Sequence, residues 1–139
     1  MGHVFVNAEL SWTGTETVRL LADAGATYTV IPSPVAERLG VAISPRPIQV
    51  TSADGSSESM HLATVLLRLG EREAGVTVLI APEGAEPLLG VEALEALGLV
   101  VDPTSHELKP TRAHGVLAVG VRPNRRLTRA RTSSACRAA

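Results

Sequence analysis

The chain has 139 residues, of which 45% are apolar, and this fits one globular domain with a modest core. The formal net charge of -1 gives no electrostatic reason to expect a nucleic acid or an anionic membrane as a partner. The single cysteine, Cys136, excludes an internal disulfide. No apolar run reaches the ~18 residues of a membrane span and the N-terminus lacks a signal-peptide pattern, so we expect a cytoplasmic protein.

The first third of the chain predicts three strands and a short helix. Alternating or β-branched residues predict strands over residues 3–10, 17–22 and 27–31. Pro32 ends the third strand. A helix follows, with Ser33 as its cap and Pro34 at its first position. It extends through Leu39, and Gly40 ends it.

The middle of the chain continues the pattern of strands. Strands are predicted over residues 48–52, 60–69, 74–81, 99–101 and 107–109, with a loop over 82–87. Asp-Gly at positions 54–55 is a strong hairpin signal between the first two of these strands. A second short helix is predicted from Val91 to Leu97, ended by Gly98.

The last part of the chain differs in composition from the rest. Residues 115–121 are apolar enough to form another strand, whereas residues 122–139 are rich in Arg, Ser, Thr and Ala without periodicity. We therefore predict one domain over residues 1–121 and a disordered tail over 122–139. Five arginines between Arg122 and Arg131 could attract acidic partners, although a solvated tail is the simpler explanation.

Asp23 carries the main chemical signal. It follows an apolar predicted strand directly and precedes Ala24-Gly25-Ala26. Small residues leave room around a carboxylate, and Gly25 would permit a tight turn with positive φ. Hydrolysis of a peptide bond by carboxylates needs two of them, one acting as a base toward water and one donating a proton to the carbonyl oxygen. At a separation of about 3 Å, such a pair shares one proton.

The sequence supplies only one carboxylate in this setting. Asp54 lies in the predicted hairpin turn and Asp102 precedes a proline, and neither has small neighbours. The second Asp23 would therefore come from a second copy of the chain, with a two-fold axis between the two carboxylates. From the tripeptide alone, an aspartate that only caps a turn is the simpler explanation.

Two longer stretches of sequence favour a catalytic aspartate over one that only caps a turn. Residues 20–32 read LLADAGATYTVIP, followed by AERLG at 36–40, and residues 87–102 read PLLGVEALEALGLVVD. In this order and at this separation, they resemble the retropepsin-like aspartic proteases, and they look most like the bacterial, single-domain members. The resemblance covers roughly residues 4–110.

The resemblance implies a mostly β fold: a closed acid-protease barrel with one or two short helices, one lobe per chain, working as a homodimer. Its site residues would fall into three groups. Asp23 would be the catalytic residue, and the loop and dimer contact would consist of Ala24, Gly25, Ala26 and Thr27. Leu88, Leu89 and Gly90 would support that loop from beneath, and Ala53, Asp54 and Gly55 would form the flap that closes over an extended peptide. An ordinary surface hairpin would show the same Asp-Gly signal.

Ala24 departs from the pattern of this family, which has Thr or Ser at that position. There the hydroxyl group forms a hydrogen bond across the dimer axis, and alanine cannot form it. Each lost hydrogen bond is worth about 0.5–1.5 kcal/mol. Symmetry doubles the loss to about 1–3 kcal/mol, or about ten- to a hundredfold in the dissociation constant of the dimer.

The sequence thus favours a dimeric aspartic endopeptidase that acts on extended peptides or proteins, with neither nucleic acid nor membrane as a partner. Two alternatives stay open: a catalytically weak or inactive dimeric module of the same fold that binds peptides, and a small β domain with an unrelated structural role. His61 and His106 have no ligand partner at metal spacing, so we expect no metal and no other cofactor.

Overall fold

The computed structural model describes residues 3–111, which form nine strands and two seven-residue helices. In chain order the elements are β1 (Val4–Ser11), β2 (Thr15–Ala22), β3 (Thr29–Pro32), α1 (Ser33–Leu39), β4 (Ile48–Thr51), β5 (Ser57–Leu69), β6 (Arg72–Ala81), β7 (Leu88–Leu89), α2 (Val91–Leu97), β8 (Leu99–Asp102) and β9 (Glu107–Pro110). The strand predicted at 115–121 and the arginine-rich segment 122–139 lie outside the described residues.

Seven of the strands form one sheet that closes on itself. Their order is β1-β2-β7-β3-β6-β5-β4, and β1 also pairs with β5, so that six strands form a ring and β4 extends from it. The long strand β5 takes part in two hairpins, because residues 57–60 pair with β4 and residues 61–69 pair with β6. Strands β8 and β9 form a separate hairpin.

The interior of the ring is aliphatic. Alternate residues of the strands point inward and are buried, as the period of two in their sequences predicts. The two helices cover the ring with their apolar faces. The buried cluster consists of Ala8, Leu10, Val18, Leu20, Ile31, Val35, Ala36, Leu39, Ala63, Val65, Leu67, Val76, Val78, Leu89, Ala93, Leu94 and Leu97.

The predicted fold class is confirmed: the chain is mostly β, with two short helices. The sequence missed β7, a two-residue strand too short to show periodicity, which nevertheless joins β2 to β3 in the ring. It also began β3 two residues early, since Thr27 and Tyr28 lie in the loop before the strand. The prediction began β5 at Met60, whereas this strand starts at Ser57 and gives the β4–β5 hairpin longer arms.

The start of α1 was predicted wrongly. The helix begins at Ser33, its N-cap is Pro32, and no side chain caps it. Ser33 therefore lies within the first turn rather than before it. The other end agrees with the prediction, because Gly40 ends the helix in the left-handed conformation with φ of 67°. Neither described helix is long and apolar enough to cross a membrane.

Candidate active site

Asp23 lies at the start of a loop, residues 23–28, that joins β2 to β3 and is called here the Asp23 loop. The end of β2 runs parallel to β7, and the backbone N–H of Asp23 donates to the carbonyl of Leu89 over 3.0 Å. The chain then reverses in a tight turn, in which Ala26 N–H donates to Asp23 O over 3.1 Å. The pairing with β7 therefore fixes the point at which the chain leaves the sheet, and with it the position of Asp23.

One oxygen of the carboxylate is held by the loop itself. Gly25 N–H donates to Asp23 Oδ1 over 2.9 Å, whereas Oδ2 has no hydrogen-bond partner within residues 3–111. Gly25 does not have a positive φ, so the expectation that glycine serves a left-handed turn here was wrong. A Cβ atom at Gly25 would lie 3.2 Å from Asp23 Oδ1, so glycine keeps space for the carboxylate instead.

The first turn of α2 supports the rest of the loop from beneath. A helix leaves its first N–H groups without partners inside the helix. Here Val91 N–H donates to Ala26 O over 2.7 Å, and Glu92 N–H donates to Thr27 O over 2.9 Å. These carbonyl groups accept hydrogen bonds from N–H groups at the start of α2, which has no side-chain cap. The same hydrogen bonds hold the Asp23 loop in place.

Gly90 allows this close approach. A Cβ atom there would collide with the carbonyl group of Tyr28 and would lie 2.9 Å from Thr27 O. The φ of Gly90 is -87°, so glycine is required by space and not by backbone conformation. The glycine of the Leu-Leu-Gly sequence thus permits direct contact between the loop and the backbone that precedes α2.

Thr29 completes the support, and sequence reasoning missed it. Its side chain is fully buried, and its Oγ1 accepts a hydrogen bond from Gly90 N–H over 3.2 Å. The available signal was a threonine among apolar neighbours in a short strand, because a buried hydroxyl group needs a partner.

A cleft of about 630 Å³ opens above the Asp23 loop. Its floor includes Asp23, and the buried side chains of Leu79 and Ala81 form part of its wall. The opposite wall comes from β4 and from the start of β5. Thr27 and Tyr28 of the loop also line the cleft, together with Val30 of β3, so the loop contributes side chains as well as the carboxylate.

The β4–β5 hairpin lines part of this cleft and has a turn at residues 52–56. Ala53 lines the cleft, whereas Asp54 and Gly55, at the tip of the turn, do not. The turn is held by its own hydrogen bonds: Asp54 Oδ1 accepts from Ser56 Oγ over 2.6 Å and from Ser56 N–H over 2.9 Å. The Ser56 hydroxyl group, and then its backbone N–H, hold the pKa of Asp54 below its ordinary value.

The remaining candidates lie apart from the cleft. Asp102 accepts from the backbone N–H groups of Thr104 and Ser105, which lower its pKa. His61 Nδ1 lies 2.8 Å from the carbonyl oxygen of Ser44. His106 lies in the β8–β9 turn with φ of 58°. Among residues 3–111, no three His, Cys, Asp or Glu side chains are grouped so that they could hold a metal ion.

A closed β lobe with an aspartate and a β-hairpin lining one cleft is the arrangement of the acid-protease class of fold. The sequence matches the aspartyl protease family over residues 8–93, and the chain belongs to that family. Among solved structures it is similar to EIAV protease complexed with the inhibitor HBY-793, with a TM-score of 0.56 and 18% identity. That match covers 70% of this chain and 89% of the viral chain. No curated protein matches the sequence.

Proposed function

We propose that the protein is an aspartic endopeptidase that hydrolyses peptide bonds through a water molecule activated by two Asp23 carboxylates, one from each protomer of a homodimer. The observation that carries the proposal is the placement of Asp23. Its carboxylate lies on the floor of a peptide-sized cleft, with Oδ1 held by Gly25 N–H and Oδ2 without a partner in the described chain.

Each carboxylate would have a defined role in this reaction. The ionised member takes a proton from the water, which attacks the carbonyl carbon of the substrate, and the protonated member donates its proton to the carbonyl oxygen. Breakdown of the tetrahedral intermediate then releases the amine with a proton from the pair. The β4–β5 hairpin would close over an extended substrate and exclude bulk water.

The dimer follows from the need for a second carboxylate. Ala24 and Gly25, at the tip of the Asp23 loop, are exposed in the protomer, and this tip is the surface where a second loop would meet the first. No other aspartate lines the cleft in the described chain. Ala24 offers no hydroxyl group for a bond across the axis, so the dimer depends on other contacts.

Replacing Asp23 with Asn tests the chemistry. We expect cleavage of a peptide library at acidic and neutral pH to fall at least about a hundredfold in Asp23→Asn, because an amide cannot accept the proton. The matched control is Asp102→Asn, which changes an aspartate of the β8–β9 hairpin away from the cleft and should leave cleavage unchanged. Cleavage that survives Asp23→Asn refutes the dyad. Binding of peptides by a wild-type chain that cleaves none of them indicates the non-catalytic peptide-binding module.

Replacing Ala24 with Thr tests the dimer. Two restored hydroxyl groups should tighten it by about 1–3 kcal/mol, or about ten- to a hundredfold in dissociation constant, measured by sedimentation across concentration. Ala24→Val is the control, because valine has the shape of threonine without the hydroxyl group. Equal effects of the two variants would contradict a hydrogen bond across the axis. A wild-type chain that cleaves peptides as a strict monomer would contradict the shared dyad.

A further inference from the structure

Charge is divided very unevenly along this chain. All fourteen acidic residues lie within residues 1–111, together with six of the thirteen basic ones, which gives that part a net charge of -8. The seven remaining basic residues are all arginines and lie within 112–139, where no acidic residue occurs. The overall charge of -1 therefore conceals two parts of opposite sign that attract each other.

The cleft concentrates part of the negative charge. Three carboxylates line it: Asp23 on the floor, Glu58 at the start of β5 and Glu86 in the loop before β7. The described lining includes no Lys, Arg or His. Neither Glu58 nor Glu86 forms an ion pair within residues 3–111, so both carboxylates are available to a ligand.

We propose that the arginine-rich segment 122–131 of this same chain binds in the cleft, with its guanidinium groups against Glu58 and Glu86. Guanidinium–carboxylate pairs are planar and can form two parallel hydrogen bonds, which makes arginine a good match for such a lining. Five of the ten residues of the segment are arginines. Bound in this way, the segment would compete with any other peptide for the cleft, so the inference builds on the proposed peptide-binding function.

The length of chain between the two parts permits this contact. Ten residues lie between Thr111, the last described residue, and Arg122, and the eleven steps from one to the other span up to about 36 Å when extended. A compact domain of about 110 residues has a radius of gyration of about 13 Å. The segment can therefore reach the cleft from the end of the described chain.

A paramagnetic label provides a direct test on the intact chain. Cys136 is the only cysteine and lies five residues beyond Arg131, so one nitroxide label can be attached near the segment. We expect the label to broaden the NMR signals of the backbone amides that line the cleft, in the Asp23 loop and in β4. The broadening should disappear when the five arginines of the segment are replaced by glutamine, and it should weaken at high salt.

The carboxylates are tested with a charge-matched pair of variants. Glu58→Gln combined with Glu86→Gln should reduce the broadening and should weaken binding of a synthetic 122–131 peptide about tenfold. Glu9→Gln combined with Glu37→Gln removes the same charge from exposed sites outside the cleft and should change neither result. Cleft amides that are not broadened in the wild type, or broadening that the cleft variant leaves intact, would overturn the proposal.

Neither readout requires cleavage, so the two proposals can fail separately. Broadening in the wild type, with no cleavage even by the variant whose five arginines are replaced by glutamine, would support occupancy of the cleft and refute the enzyme. If the protein cleaves peptides and the label does not broaden the NMR signals of the cleft amides, the enzyme is supported and occupancy by the segment is refuted.

Discussion

The Asp23 loop and the turn of the β4–β5 hairpin both contribute residues to the same cleft, and they are held in different ways. The loop is bound to other parts of the chain, through Leu89 O beneath its start and two N–H groups of α2 beneath its end. Within residues 3–111, the hydrogen bonds of the turn are internal to it: Ser52 N–H donates to Ser56 O over 2.8 Å, and Gly55 N–H donates to Ser52 O over 2.9 Å.

This difference indicates different tasks for the loop and the turn. A carboxylate that acts on a substrate must keep its position to within a fraction of an ångström, so its loop needs support from rigid elements. A hairpin that admits a peptide must move as a unit, and hydrogen bonds confined to the turn allow this because they travel with it. Changes beneath the loop should therefore destabilise the whole lobe, whereas changes in the turn should remain local.

The largest effect is expected from Gly90→Ala. The new Cβ atom would collide with the backbone carbonyl of Tyr28, which cannot move without displacing the Asp23 loop. We expect the free energy of unfolding to fall by about 3 kcal/mol, measured by urea denaturation, with loss of any cleavage activity.

Gly75→Ala is the matched control for this change. Gly75 lies in β6, and a Cβ atom there would meet nothing within 4 Å. This variant should change the free energy of unfolding by less than about 1 kcal/mol. If both variants behave alike, contact between Gly90 and the loop does not hold the floor of the cleft.

A smaller effect is expected from Thr29→Val. Valine fills the same volume but leaves the N–H of Gly90 buried without its partner, Thr29 Oγ1. The cost should be about 1–3 kcal/mol in the same denaturation experiment. Thr29→Ser keeps the hydroxyl group and loses a methyl group. If the serine variant is the less stable of the two, packing rather than the hydrogen bond explains the role of Thr29.

The sequence predicted the elements whose local signals are strong. Alternation of apolar residues located β1, and the Asp-Gly pair located the turn of the β4–β5 hairpin. Gly40 and Gly98 end their helices in the left-handed conformation, as glycine at that position predicts. These features depend on a few neighbouring residues, which is why they can be recognised from the chain alone.

The features that the sequence could not predict depend on distant contacts. Strand β7 exists because two residues lie between β2 and β3 in the ring, and nothing local marks them as a strand. The requirement for glycine at position 90 depends on a loop more than sixty residues earlier. The acidic lining of the cleft likewise combines Asp23, Glu58 and Glu86 from three separate segments.

The smallest effect is expected from Ser56→Ala. This variant tests whether the hydrogen bonds of the turn contribute to the stability of the whole lobe. The variant removes the hydroxyl donor to Asp54 and keeps the backbone N–H donor, so the pKa of Asp54 should rise toward its ordinary value without reaching it. A carboxyl group whose pKa is lowered in the folded state stabilises that state above its unfolded pKa of about 3.9. This stabilisation is lost as the pH falls through the folded pKa.

Any difference between wild type and Ser56→Ala should therefore be present at neutral pH and vanish in acid. It should appear in the NMR titration of Asp54 and in hydrogen exchange of the turn amides, and not in the urea midpoint, because Asp54 is fully exposed. Ser59→Ala removes a hydroxyl group of the same hairpin that contacts Gln49 instead, and it should leave the Asp54 titration unchanged. A shifted urea midpoint in Ser56→Ala would mean that the turn supports the lobe, and the contrast with the Asp23 loop would then be lost.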